Sequence, residues 1–134
     1  MAEKLRFELV SPERLLLSEE VRMVVIPGSE GNFGVLRRHA PFLSMIRPGV
    51  IDIYDEKQVT ERIFIAGGYA EVTPERCTVL ADSAMPVGEI DRPKVESELK
   101  SLREDLEDAK DEAEKHGVSA KIAIAEAKLK AASA

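Results

Sequence analysis

Short stretches of alternating hydrophobic and polar residues dominate the first two thirds of the chain. The clearest of them, all rich in β-branched and aromatic side chains, cover residues 5–9, 21–26, 50–54, 62–66 and 76–80. A period of two is typical of strands with one buried face. Prolines and glycines separate the stretches, notably at 27–28, 48–49 and 67–68. No segment among them is long and periodic enough to be a crossover helix, so residues 1–88 are predicted to form an antiparallel β-sandwich or small barrel.

In the rest of the sequence, hydrophobic residues recur every three or four positions. The apolar positions of this seam are Val95, Leu99, Leu102, Leu106, Ala109 and Ala113. Asp91 as N-cap and Pro93 in the first turn predict the start of a helix of about 24 residues. Gly117 then predicts its end, and Ser119 the cap of a second helix that runs to about residue 132. This part of the protein is therefore predicted to be an antiparallel two-helix hairpin.

Composition divides the 134 residues at the same place. All six aromatic residues lie before position 70, and charged residues make up about a quarter of residues 1–88 but nearly half of residues 89–134. The sequence therefore predicts two domains, a β-sandwich over residues 1–88 and a helical hairpin over residues 89–134. Because its apolar seam is narrow, we expect the hairpin to be marginally stable alone and to populate more than one position.

The net charge and the cysteine count exclude several classes of protein. A formal net charge of −6 argues against a nucleic-acid-binding protein. One cysteine excludes an intramolecular disulfide framework, and the apolar runs fall short of the roughly 20 residues that span a bilayer. The N-terminus lacks the apolar stretch of a signal peptide and shows no transit peptide. We therefore expect a soluble protein of a reducing compartment, with no nucleic-acid partner and no insertion into a membrane.

Candidate catalytic groups are few. The glycine-rich segment at 28–34 lacks the Gly-Lys-Ser/Thr that completes a phosphate-binding loop, so it is interpreted as a hairpin loop. His39 has no second histidine in the sandwich region, so neither a metal site nor a catalytic pair is predicted. Cys77 is predicted to be a buried strand thiol. The residues alone thus indicate an interaction protein, and a small sandwich enzyme built on His39 is the alternative.

Longer strings of residues carry a family resemblance. Residues 34–43 read Gly-Val-Leu-Arg-Arg-His-Ala-Pro-Phe-Leu, with Pro-Gly-Ser-Glu-Gly before them at 27–31 and Arg-Pro-Gly after them at 47–49. Two later strings, at 64–72 and 78–84, agree in order and spacing. Together they resemble the epsilon subunits of bacterial rotary ATP synthases over nearly the whole sandwich region, and the helical region agrees in length and hairpin design.

The resemblance implies an all-β sandwich of about ten strands followed by two C-terminal helices. It also implies a non-catalytic subunit of the central stalk that binds the gamma subunit, rests on the c-subunit ring and couples rotation to ATP synthesis. In this family the helices are thought to extend to the alpha/beta catalytic head and inhibit ATP hydrolysis. By the same resemblance, the protein is expected to be peripheral, at the cytoplasmic face of a bacterial inner membrane.

The resemblance assigns an interface with the c ring and the gamma subunit to one group of residues. They are Glu30, Gly31, Asn32, Phe33, Arg37, Arg38, His39 and Ser44. Most of these side chains are polar or charged. We therefore expect the interface to depend on hydrogen bonds and charge pairs rather than on a large apolar patch.

A nucleotide site is the second hypothesis that the resemblance raises. Some relatives bind ATP through Ile-Asp-x-x-Arg-Ala at the start of the first helix. This sequence has Ile90, Asp91 and Lys94 at those positions, with lysine in place of arginine. Because lysine lacks the two-pronged phosphate contact of arginine, Asp91 is interpreted as a helix N-cap and no cofactor is expected. The alternative function is a stand-alone ATP-sensing module that uses the hairpin as a lid.

Overall fold

The computed structural model describes residues 4–133. The protein divides into two compact units, Met1–Pro86 and Val87–Ala134. The first unit is built from strands and the second from helices. Each unit has its own cluster of buried hydrophobic side chains. The predicted fold class, a β-sandwich followed by a two-helix hairpin, is confirmed.

The first unit contains ten strands within residues 4–86. In sequence order they are β1 (Leu5–Val10), β2 (Leu15–Val21), β3 (Met23–Gly28), β4 (Gly31–Val35), β5 (Phe42–Ile46), β6 (Gly49–Asp55), β7 (Gln58–Ile65), β8 (Gly68–Val72), β9 (Arg76–Ala81) and β10 (Ala84–Pro86). They are hydrogen-bonded in the order β10-β7-β6-β3-β5-β8-β9-β1-β2, with β4 paired to β3. Buried side chains from β1 to β9 meet in one core, so the sheet closes over itself as a sandwich.

One strand pair departs from the predicted antiparallel arrangement. β1 runs parallel to β9, with Phe7 opposite Cys77 and Leu9 opposite Val79. All four of these side chains are buried in the core. The other strand pairs described in residues 4–86 are antiparallel. A short alternating strand suits either orientation, so the hydrophobic pattern alone could not reveal the parallel pair.

The turn between β3 and β4 is shorter than the glycine-rich segment predicts. Gly28 pairs with Gly31 across its base, and Gly34 pairs with Val25, so Gly28 and Gly34 lie in strands rather than in a loop. A Cβ atom added to Gly28 would come within 2.8 Å of the Phe33 ring. Gly28 is therefore required for the close approach of an aromatic side chain, and the turn itself consists of two residues between the strands.

The second unit begins with a short 3₁₀ turn (Val87–Glu89), followed by α1 (Arg92–Asp108) and α2 (Glu112–Ser133). Asp91 has the extended backbone of an N-cap, and its carboxylate accepts a hydrogen bond from the backbone N–H of Lys94 at 3.2 Å. The first helix therefore starts where the sequence predicts, and the interpretation of Asp91 as a cap is confirmed.

The predicted position of the turn between the helices is wrong. Gly117 and Ser119 lie inside α2, and α1 ends at Asp108. The reason is a variant of the capping box, called the capping box below: Asp111 accepts from the N–H of Glu114 at 2.8 Å, and the Glu114 carboxylate accepts from the N–H of Lys110, one residue before the cap, at 3.0 Å. A single glycine costs a helix only about 1 kcal/mol, so it does not end the helix where caps favour another boundary.

The two helices pack through a thin apolar seam. Val95, Leu99 and Ala125 are buried in it, and Leu102 and Ile122 are partly buried against them. Most other positions along α1 are exposed, as the density of charged residues predicts. No helix within residues 4–133 is long and apolar enough to cross a membrane.

Candidate partner-binding surfaces

The β3–β4 turn forms an exposed tip at one end of the sandwich. Ser29 and Glu30 make the turn, and Gly31 follows with a positive φ of 133°. The N–H of Ser29 donates to the carbonyl of Met45 at 2.9 Å, which ties the tip to β5. The backbone of the tip is therefore fixed while the side chains of Glu30 and Asn32 remain exposed.

Arg47 holds this tip in place. One guanidinium nitrogen donates to the carbonyl of Gly28 at 2.5 Å, and the other donates to the Asn32 side-chain oxygen at 2.6 Å. The Arg47 N–H also donates to the carbonyl of Pro27 at 3.0 Å. A planar guanidinium suits two such acceptors at once. The sequence did not predict this role, although Arg47 belongs to the Arg-Pro-Gly string at 47–49 that carries part of the family resemblance.

An aromatic cluster links the tip to His39. The rings of Phe33 and Phe42 meet edge to face with centroids 5.0 Å apart, and the His39 ring lies 5.2 Å from that of Phe42. The Nδ1 atom of His39 lies 2.9 Å from the carbonyl of Ala40. Phe33 is half-buried and packs on Gly28, so its main contacts are inside the sandwich.

The basic residues before His39 are tied to the rest of the sandwich. The N–H of Arg38, which has a φ of 70°, donates to the carbonyl of Pro74 at 2.5 Å. The Arg37 guanidinium donates to the carbonyl of Lys4 at 3.3 Å. Both arginine side chains are nevertheless exposed. The loop therefore presents positive charge from a fixed backbone.

Ser44 stands apart from the other predicted interface residues. It lies in β5, opposite Ala70 of β8, and its hydroxyl donates to the carbonyl of Met45 at 3.0 Å. Because Ala70 is fully buried, Ser44 faces the inner side of the sheet. The structure thus connects the tip to His39 through the rings of Phe33 and Phe42, but it turns Ser44 inward.

The outer side of the same strands carries an exposed apolar row. In strand register, Met45 lies opposite Tyr69, Tyr69 opposite Leu80, Leu80 opposite Val10, and Val10 opposite Leu15. Four of these five side chains are 48–59% exposed: Met45, Tyr69, Leu80 and Leu15. We call these five residues the apolar row.

The apolar row was not predicted from the sequence. Directly opposite residues on paired strands point to the same face, so the row is one continuous strip across β5, β8, β9, β1 and β2. Leu43 lies two positions before Met45 on the same face and is 67% exposed. Large apolar residues at outward positions were the available signal, but strand register was needed to show that they are adjacent.

Cys77 has a structural place in the core rather than the exposure of a reactive thiol. Cys77 is fully buried in β9, which confirms its prediction as a strand thiol, and burial raises its pKa to about 12. A thiol with that pKa is a poor nucleophile at neutral pH. Across residues 4–133, no cluster of three or more His, Cys, Asp or Glu side chains could hold a metal ion.

The residues of the nucleotide hypothesis are used to start α1. Ile90 packs against the helical cluster, Asp91 caps the helix, and the N–H of Lys94 donates to the Asp91 carboxylate. The Lys94 side chain is exposed. This arrangement gives Ile90 and Asp91 structural tasks that need no ligand.

Comparisons with known proteins match both parts of the sequence. Residues 4–87 match the family model described as the beta-sandwich domain of the ATP synthase delta/epsilon chain, and residues 91–134 match that of the C-terminal domain of the ATP synthase epsilon chain. The ATP synthase epsilon chain of Rhodospirillum rubrum is 53% identical over 131 residues, which is 98% of each protein. That of Paramagnetospirillum magneticum is 51% identical over 127 residues, covering 95% of this protein and 96% of the relative.

Solved structures give the same result at the level of the fold. A subunit in the cryo-EM structure of the Euglena gracilis mitochondrial ATP synthase, OSCP/F1/c-ring, superposes with a TM-score of 0.85 at 26% identity, covering all of this protein and 83% of that subunit. A subunit of the Tetrahymena thermophila mitochondrial ATP synthase central stalk and c ring superposes with a TM-score of 0.69 at 16% identity. The second likeness concerns the fold alone.

Proposed function

The chain belongs to the ATP synthase epsilon chains, which are non-catalytic subunits, and from that premise we propose that it couples the gamma subunit to the c ring and regulates ATP hydrolysis. The sandwich performs the coupling, so that rotation drives ATP synthesis. The hairpin performs the regulation by reaching the alpha/beta catalytic head and inhibiting hydrolysis. The observation that carries the proposal is the apolar row.

The apolar row is the docking surface for the gamma subunit. Five apolar side chains, four of them about half exposed, form a strip across five adjacent strands. Soluble proteins rarely leave contiguous apolar strips uncovered unless a partner covers them. Tyrosine and methionine are enriched at the centres of protein interfaces, and apolar area buried there drives association.

The β3–β4 tip is the contact with the c ring. Glu30 is exposed at its end, and Arg47 fixes the backbone below it through Gly28 and Asn32. A fixed polar tip can accept hydrogen bonds from a partner's loops without the entropic cost of ordering first. Arg37 and Arg38, exposed in the loop between β4 and β5, offer positive charge to the same assembly.

The hairpin is suited to a regulatory role because it is only thinly packed. Within residues 87–133, the buried hydrophobic side chains are Val95, Leu99, Ala125 and Ala131. Elements with few buried contacts have low local stability, and a partner can therefore change their arrangement at small cost. In this proposal the hairpin leaves its folded arrangement to contact the catalytic head.

The partners determine the location. We place the protein at the cytoplasmic face of a bacterial inner membrane, held there through the gamma subunit and the c ring. The bacterial origin of the two relatives named above supports this placement.

The docking surface is tested by charge substitution in the centre of the apolar row. The variant Tyr69→Glu/Leu80→Glu places two carboxylates on strands where the side chains are already about half exposed. Burying either charge against a partner is costly, so affinity for the purified gamma subunit is expected to fall at least about tenfold. Val59→Glu is the matched control, since Val59 is 41% exposed on β7 and lies outside the row.

Binding is measured by titration of the labelled protein with gamma at physiological salt, and thermal unfolding checks that each variant is folded. Unchanged affinity for the double variant, with a folded sandwich, would remove the apolar row as the docking surface. Equal losses for Val59→Glu and the double variant would show that the effect is not specific to the row.

A further inference from the structure

The connection between α1 and α2 contains no residue that prevents helix formation. Residues 109–111 are Ala, Lys and Asp, and neither proline nor glycine occurs among them. Alanine and lysine are among the strongest helix formers. Gly117, the glycine in this region, is accommodated inside α2 with open space around it. Intrinsic preference therefore does not explain why the backbone turns back at this point.

Hydrogen bonds to the backbone account for the turn. Ala109 leaves the helix with an extended backbone (φ −66°, ψ 134°), and its N–H donates to the carbonyl of Leu106 at 3.3 Å. Asp111 and Glu114 then form the capping box, which satisfies the N–H groups of Glu114 and Lys110. In a continuous helix those two groups would bond to carbonyls one turn earlier instead.

Tertiary packing holds the two helices together at a distance from the turn but does not cover the turn itself. The buried contacts between the helices involve Val95, Leu99 and Ala125, which are far along both helices from the turn. Residues 110–117 are all exposed. The apolar spacing of α1 also continues through Ala109 and Ala113, so a straight helix would keep one unbroken seam.

We propose that the Asp111–Glu114 capping box selects the hairpin over a single continuous helix spanning residues 92–133. The box stabilises only the turned form, because its two hydrogen bonds cannot exist when residues 109–111 are helical. This inference deepens the proposed regulatory function, on which its physiological meaning rests. The equilibrium between the hairpin and the continuous helix is a property of the isolated protein, and the experiment below measures it in the isolated protein.

The two forms differ greatly in one distance. Ser97 and Lys128 line the same groove between the helices, so they are neighbours in the hairpin. In a continuous helix they would be 31 residues apart along one axis, roughly 46 Å at 1.5 Å per residue. Cysteines placed at these two positions can carry spin labels, and the buried Cys77 is not expected to react.

The experiment compares four proteins that all carry Ser97→Cys and Lys128→Cys, using pulsed dipolar spectroscopy at full length. The second protein adds Asp111→Ala/Glu114→Ala, which removes the box. The third adds Glu112→Ala, a control at an exposed neighbour that pairs with Lys115 at 3.9 Å. The fourth adds Lys110→Gly to the box variant, because glycine disfavours a continuous helix.

Loss of the box is expected to raise the ratio of the long-distance form to the hairpin about tenfold, since each cap typically shifts a helix equilibrium several-fold. Glu112→Ala should leave that ratio unchanged, and Lys110→Gly should reverse the shift. An unchanged ratio in the box variant overturns the proposal. So does a broad distance distribution with loss of helical circular dichroism, which would indicate unfolding instead of straightening. Neither result would affect gamma binding by the sandwich, so failure of this inference is distinguishable from failure of the proposed function.

Discussion

At the scale of single residues, burial explains the raised pKa values of Cys77 and Glu19. Cys77 sits in the core opposite Phe7, where the thiolate would lose its hydration. Its prediction from the sequence succeeded because one small thiol in an alternating strand leaves few other roles. Glu19 could not be predicted in the same way, since its neighbour Glu61 belongs to a strand far along the sequence.

Glu19 is expected to make sandwich stability depend on pH. Burial, and secondly the charge of Glu61, raise the pKa of Glu19 above its ordinary value of 4.5. The ionised carboxylate is thus less favourable in the folded protein than in the unfolded one, so Glu19 favours folding more at low pH and this advantage is lost as pH rises through the raised pKa. Replacement by the neutral Glu19→Gln should therefore stabilise the sandwich at neutral pH, by less than about 1 kcal/mol because the side chain is only partly buried and solvent screens its charge.

Urea unfolding near neutral pH and below the ordinary pKa of glutamate measures this effect. The gain of Glu19→Gln over the parent should shrink as the parent's carboxyl takes up its proton. Glu20→Gln serves as the control, because Glu20 faces the other side of β2 and lies opposite Arg6. If Glu19→Gln stabilises the protein equally at both pH values, the raised pKa of Glu19 in the folded protein is contradicted.

At the scale of elements, the strands with clear alternation were predictable and the boundaries set by hydrogen bonds were not. The alternating stretches at 5–9, 50–54 and 76–80 lie within β1, β6 and β9. β4 was not predicted, because the glycines at 28, 31 and 34 were interpreted as a loop. In the structure they lie in strands, and Gly28 of β3 allows the close approach of the Phe33 ring. The end of α1 was misplaced for a related reason, since Gly117 was given more weight than the capping box of Asp111 and Glu114.

Arg47 is expected to determine the rigidity of the β3–β4 tip. Arg47→Ala removes the hydrogen bonds to Gly28 and Asn32 while keeping the backbone bond to Pro27. The tip should then open more often, and the free energy of unfolding should fall by about 1 kcal/mol. Amide hydrogen exchange of Ser29, whose N–H donates to Met45, measures the opening.

Two further variants make the Arg47 experiment specific. Arg47→Lys keeps the charge but cannot serve two acceptors with one planar group, so it should loosen the tip nearly as much. Lys57→Ala alters a cation in the β6–β7 turn and should leave exchange at Ser29 unchanged. Normal exchange in Arg47→Ala would show that the strands alone hold the tip.

At the scale of the whole molecule, the division into two units was visible in the composition, but the apolar row was not. The aromatic residues and the charged residues separate near the same point of the sequence. The apolar row, by contrast, joins Val10 and Leu15 to Leu80 through the parallel pairing of β1 with β9. Adjacency of this kind depends on strand order, which local patterns do not contain.

Removal of residues 89–134 is expected to have separate effects on folding and on regulation. The sandwich has its own core, so the shortened protein should stay folded and Cys77 should remain protected from thiol reagents. ATP hydrolysis by an assembly that contains the shortened protein should rise, because the helices that we propose to be inhibitory are gone. Unchanged hydrolysis would contradict the regulatory part of the proposal, and rapid reaction of Cys77 would show that the sandwich depends on the helices.

The parallel pairing of β1 with β9 also sets an order of events during synthesis on the ribosome. β1 and β2 can form a hairpin as soon as residue 21 has emerged, because their pairing is local. The other edge of β1 stays open until Arg76–Ala81 has been translated. The earliest strand to appear is thus among the last to be fully paired, and until then its apolar side chains are exposed to chaperones and to other nascent polypeptides.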